Sequence, residues 1–132
     1  MRPNRRVLTT EAAPVPVGPY SQGMVGGGLV FTVGVVGSSP ATSELVAGGL
    51  EAEVHQALDN LEAILDAAGT TMSAIVKANV YLVDMADFAA FNEIYGARMS
   101  EPYPPRTTVA VAGLPLGARV EIACIALSPT AD

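Results

Sequence analysis

The chain has 132 residues, half of them hydrophobic and 15% charged, with 13 glycines and 10 prolines to supply turns. That balance fits one domain that buries its own core without disulfides or metals; it excludes a disordered chain, and no apolar run approaches the roughly 18 residues a membrane span needs. Seven basic residues against thirteen acidic ones give a net charge of −6, a surface that repels phosphate backbones, so neither a nucleic-acid nor a membrane partner is expected.

The opening Met1-Arg2-Pro3-Asn4-Arg5-Arg6 carries three arginines but leads into no apolar stretch. A secretory signal is therefore not expected, and residues 1–6 read as a flexible basic tail on a single domain spanning 1–132. Arg6 to Thr10 reads as a short strand. Glu11 to Gly28, rich in Pro and Gly, reads as loop or irregular strand. Leu29 to Val36 is an apolar strand ending near Gly37, and Ser38 to Gly49 is a connecting loop.

Glu51 to Ala68 carries the clearest helical pattern. Val54, Leu58, Leu61 and Leu65 keep 3,4 spacing, with Ala57, Ile64 and Ala68 beside them. Glu51 and Glu53 stand where the helix dipole favours anions, and Gly69 supplies a left-handed stop. A strand over Ala74 to Val83 follows. Asp84 then reads as an N-cap, with Asp87 at the capping-box position, for a helix from Met85 to about Ser100 burying Phe88, Phe91, Tyr95 and Met99. Prolines 102, 104 and 105 end it, and strands over 106–111 and 119–127 complete the chain. Two helices among about five strands give an α+β fold, a mixed sheet with both helices on one face. The strands are apolar on both sides, so self-association is expected to cover the other face.

Few residues invite chemistry. Arg106 is a lone cation opening an uncharged strand, and its planar fork of donors suits a carboxylate. Glu121 interrupts an apolar run on the face shared with Arg119 and Ala123; it is either an exposed carboxylate paired with Arg119 or a group that orients water. Tyr20 stands in a turn-like Gly18-Pro19-Tyr20-Ser21-Gln22, and Asn92 lies one turn after Phe88, where a solvated amide is the default. His55 is the only histidine, which excludes a histidine-based metal site. Cys124 lies in an apolar strand and reads as a buried, inert thiol, which fits a reducing cytoplasm. Gly26-Gly27-Gly28 precedes a strand, not a helix, and so is no phosphate loop.

In order, Gly18-Pro19-Tyr20-Ser21-Gln22-Gly23, Phe31-Thr32-Val33-Gly34, Ala67-Ala68-Gly69, Val76 to Leu82, Phe91-Asn92-Glu93-Ile94-Tyr95, Pro105-Arg106-Thr107-Thr108-Val109 and Val120-Glu121-Ile122 resemble the Rid (YjgF, L-PSP) family across residues 7 to 128. The resemblance implies a chorismate-mutase-like α+β fold and a homotrimer with clefts between subunits. It also implies hydrolysis of 2-imino or 2-enamino acids to 2-keto acids and ammonia, without metal or organic cofactor. Carried over, Arg106 grips the substrate carboxylate and Glu121 attends the attacking water. Tyr20, Asn92, Val33, Gly34 and the backbone of Thr108 line or support the cleft. The family often has Ser and Gln where this chain has Val33 and Val35, and commonly Cys at Thr108, which implies a more apolar cleft. A non-catalytic trimer that binds 2-keto acids or other small carboxylates is the alternative. The endoribonuclease or translation-inhibitor role attached to some relatives runs against the acidic body.

Overall fold

In the computed structural model, which describes residues 4–129, the 3,4-spaced apolar rhythm becomes helix α1, Gly49–Ala67. Val54, Ala57, Leu58, Leu61, Ile64 and Leu65 are no more than 1% exposed, and each large aliphatic side chain so buried contributes about 1.5–3 kcal/mol. Gly69 (φ 79°) ends the helix as expected, its N–H donating to the Asp66 carbonyl at 2.9 Å.

Six strands form one mixed sheet: β1 Arg5–Leu8, β2 Gly23–Gly26, β3 Leu29–Thr32, β4 Ile75–Leu82, β5 Arg106–Ala110 and β6 Val120–Leu127. Their spatial order is β1-β2-β3-β6-β4-β5. Only the β4–β5 pair is parallel; the others are antiparallel. Alternation along β6 sets the two faces. Val120, Ile122, Cys124 and Ala126 are buried, as are Leu82, Val80 and Ala78 opposite the first three. They join the core with α1 and with α2, Phe88–Arg98, so both helices cover one face. The other face presents Phe31, Tyr81, Glu121, Ala123 and Ile125, exposed or half-buried. Among the described residues no helix is long and apolar enough to cross a membrane.

Several boundaries differ from the sequence expectation. Arg5 and Arg6 pair with Gly26 and Val25, so a strand begins inside the expected tail; residues 1–3 lie outside the described residues. β2 is a regular strand within the stretch read as loop or irregular strand. β3 ends at Thr32: the Val33 N–H still meets the Gln22 carbonyl in register at 2.8 Å, but on the other side the Cys124 N–H goes to the Thr32 hydroxyl at 3.0 Å, and pairing with β6 resumes only at Val35, which exchanges bonds of 2.8 and 2.9 Å with Ile122. Asp84 accepts from the Ala86 N–H at 2.9 Å, but it caps a 3-10 turn, Met85–Asp87, ahead of α2. Asp87 builds no capping box. Its carboxylate holds Arg119 Nη2 at 2.9 and 3.1 Å. Phe91, Tyr95 and Met99 are buried, whereas Phe88 is 40% exposed. Cys124 is buried as expected, and burial pushes its thiol up to about 12.

Candidate active site

Arg106 opens β5 opposite Ala78, on the helix-covered side of the sheet. Its Nε donates to Thr108 Oγ1 at 2.9 Å, and its Nη2 donates to Asn92 Oδ1 at 2.6 Å. Three rings of α2 surround the guanidinium carbon: Tyr95 at 4.9 Å, Phe91 at 5.3 Å and Phe88 at 5.6 Å from their centroids. Cation–π contacts of this kind contribute about 0.5–2 kcal/mol each, depending on desolvation. Phe88, Phe91, Asn92 and Tyr95 occupy positions i, i+3, i+4 and i+7, one stripe of α2. Asn92 is thus no solvated amide; it braces the arginine. Burial raises the Tyr95 pKa against the opposing pull of Arg106. No carboxylate meets Arg106 among the described residues, where the ion pairs are Arg98–Asp59 at 2.7 Å and Arg119–Asp87 at 2.9 Å. With Nε and one Nη2 hydrogen engaged, Nη1 keeps both of its N–H groups for an anion.

Glu121 sits on β6 opposite Tyr81, on the face away from the helices. Arg119 pairs with Asp87 and not with Glu121. Gly34 passes over the Glu121 carboxyl so closely that a methyl group at position 34 would stand 2.5 Å from Oε2. A side chain at position 34 would have to push the Glu121 carboxyl aside. Burial raises the pKa of Glu121. Beside it opens a pocket of about 150 Å³ whose lining includes Tyr20, Val33, Gly34, Val35 and Leu116. Tyr20 is 48% exposed, and its hydroxyl accepts from the Val17 N–H at 3.2 Å.

The sequence-predicted residues therefore form two groups. Tyr20, Val33 and Gly34 gather with Glu121; Asn92 and Thr108 gather with Arg106. The sheet register separates them, for Arg106 shares a face with Ala78 and Cys124 while Glu121 shares the opposite one with Tyr81. Sequence reasoning missed two buried amides in the lining of the pocket. Gln22 Nε2 reaches the carbonyls of Thr10, Ala13 and Pro14 at 3.0, 3.2 and 2.9 Å. Asn60 Nδ2 reaches those of Val36 and Ser38 at 3.0 and 2.9 Å. Asn60 carried a signal: three after Ala57 and four before Ile64, it falls inside the apolar stripe of α1.

The model of the family described as endoribonuclease L-PSP matches residues 10–128. The chloroplastic reactive intermediate deaminase A of Arabidopsis thaliana is 44% identical over 122 residues, 92% of this chain and 65% of that protein. The 2-iminobutanoate/2-iminopropanoate deaminase of Mus musculus is 44% identical over 123 residues, 93% of this chain and 91% of that one. Among solved structures, E. coli TdcF with bound serine aligns at a TM-score of 0.86 with 36% identity, covering 92% of this chain and 98% of that one. A match that takes in both helices and every strand from β2 to β6 makes this chain a member of the L-PSP family, the Rid or YjgF proteins.

Proposed function

We propose that the protein hydrolyses 2-imino acids, and their 2-enamino tautomers, to 2-keto acids and ammonia in clefts built by two copies of the chain. The observation that carries this reading is Arg106: a braced guanidinium with Nη1 unengaged and no carboxylate of its own among the described residues. The deaminase names of full-length relatives and the serine bound to TdcF support a small amino-acid-like carboxylate as its anion. Glu121 takes a proton from water as the water oxygen bonds to C2 of the protonated imine. The proton returns to nitrogen, the C–N bond breaks, ammonia leaves, and loss of the hydroxyl proton leaves the keto acid. Position and proton transfer suffice because a protonated imine is already electrophilic.

Tyr20, Val33, Gly34, Asn92 and Thr108 line or support the cleft, with main-chain groups at Gly34 and Thr108 facing the ligand. The assembly is a homotrimer with chorismate-mutase-like packing, working in the cytoplasm without cofactor. Binding RNA is disfavoured, since Arg98 and Arg119 are paired with acids and Lys77 turns to Thr107 at 2.7 Å.

The test supplies 2-aminoacrylate from a dehydratase, or longer imines from an amino-acid oxidase, and measures acceleration over spontaneous hydrolysis. Arg106→Ala should lower kcat/KM by about 10²–10⁴-fold, and Arg106→Lys should also lose activity because an ammonium lacks the planar fork. An Arg106→Ala protein as fast as wild type overturns the assignment. Carboxylate binding with no acceleration in wild type would instead mark a sensor.

A further inference from the structure

The pocket beside Glu121 has a character that the reaction itself does not require. Its walls are largely aliphatic, with Val15, Val17, Val33, Val35, Ile64 and Leu116 among them. The two amides in the lining are occupied elsewhere. Gln22 gives Nε2 to three backbone carbonyls while Oε1 accepts from the Thr10 N–H at 2.7 Å. Asn60 gives Nδ2 to two carbonyls while Oδ1 accepts from Gln56 Nε2 at 2.9 Å. A polar group entering here would give up water with little in return from either amide.

The backbone offers a second, independent sign. Among the described residues, the two non-glycine positions with positive φ are Ser43 at 62° and Leu116 at 61°, and both border this pocket. Leu116 is 59% exposed, so burial in its own chain does not repay the left-handed conformation, which leucine adopts reluctantly. Backbone strain of this kind clusters where ligands are held.

We infer that this pocket receives the substrate's side chain, and that the protein prefers 2-imino acids with apolar side chains of about four to six heavy atoms, since a cavity of about 150 Å³ admits a group as large as benzene. The inference rests on the deaminase reading, with C2 held at Glu121. Val33, next to Gly34 in the chain, and the exposed Leu116 both line this pocket with Glu121. Both set the choice of side chain.

The experiment compares kcat/KM for imines generated from leucine, methionine and alanine by an L-amino-acid oxidase. Filling an apolar pocket with one methylene changes kcat/KM by about 10–200-fold, so the leucine and methionine imines should exceed the alanine imine by about 10-fold or more. Leu116→Asn should lower that ratio by about 5-fold or more; asparagine tolerates the left-handed backbone, so the fold is retained. Val33→Ser should lower it as well. Equal kcat/KM for leucine and alanine imines overturns the inference and leaves the deaminase reading standing. No acceleration of any imine overturns both.

Discussion

Glu121 has no cation in contact among the described residues, and burial alone lifts its carboxyl pKa above the ordinary value of 4.5. Two consequences follow with opposite signs. As a base it works only when ionised, so kcat/KM should fall on acidification along a limb whose apparent pKa lies above the ordinary carboxylate range. For stability, folding raises the affinity of this group for a proton. Its contribution is therefore complete below the unfolded pKa and is lost as pH rises through the folded one. Glu121→Gln should abolish most hydrolysis and its acid limb, yet at pH 7 it should unfold at the same temperature as wild type or higher. A pH–rate profile beside thermal unfolding reads both; loss of activity accompanied by loss of stability would mean that Glu121 holds the fold and not the water.

The elements around the pocket depend on single buried groups that tie them together. Asn60 of α1 is the tie to the segment after β3, and it is fully buried. Replacing it with alanine leaves the Val36 and Ser38 carbonyls without their donor, at a cost of about 1–3 kcal/mol. Urea unfolding of Asn60→Ala should show that loss, with kcat/KM for large imines falling further than for small ones as the pocket wall loosens. Such ties explain what the sequence conveyed. Apolar periodicity located α1, β4 and β6 closely, because burial on one face is a repeating demand that leaves a repeating pattern. It ran β3 four residues too far, since Val33-Gly34-Val35-Val36 is as apolar as the strand before it. The ladder breaks where the Cys124 N–H, 92 positions away, goes to the Thr32 hydroxyl, just before Gly34 passes a carboxylate 87 positions later. Tertiary approaches of that kind leave no local rhythm. The same limit hid the brace on Arg106: the α2 stripe was legible as core, but nothing in its spacing says that Phe88 would lie half-open beneath a cation. The arginine stood out in sequence because it opens an uncharged strand, and the glutamate because it interrupts an apolar run.

At the scale of the whole molecule the decisive fact is topological. Arg106 and Glu121 belong to opposite faces of a single sheet, which favours a cleft that draws them from two copies. The face bearing Glu121, with Phe31 exposed and Tyr81 half-buried, is uncovered by the helices and suits the approach of a second copy. If a cleft takes Glu121 from one copy and Arg106 from the next, two inactive proteins can complement each other. Arg106→Ala and Glu121→Gln chains, unfolded together in equal amounts and refolded, would form mixed rings. In a closed ring roughly one interface in four would then pair an intact arginine with an intact glutamate, restoring about a quarter of wild-type activity. Refolded separately and then combined without exchange, the two should stay inactive. A cleft lying within one chain would leave every copy defective, and the co-refolded mixture would show no recovery at all.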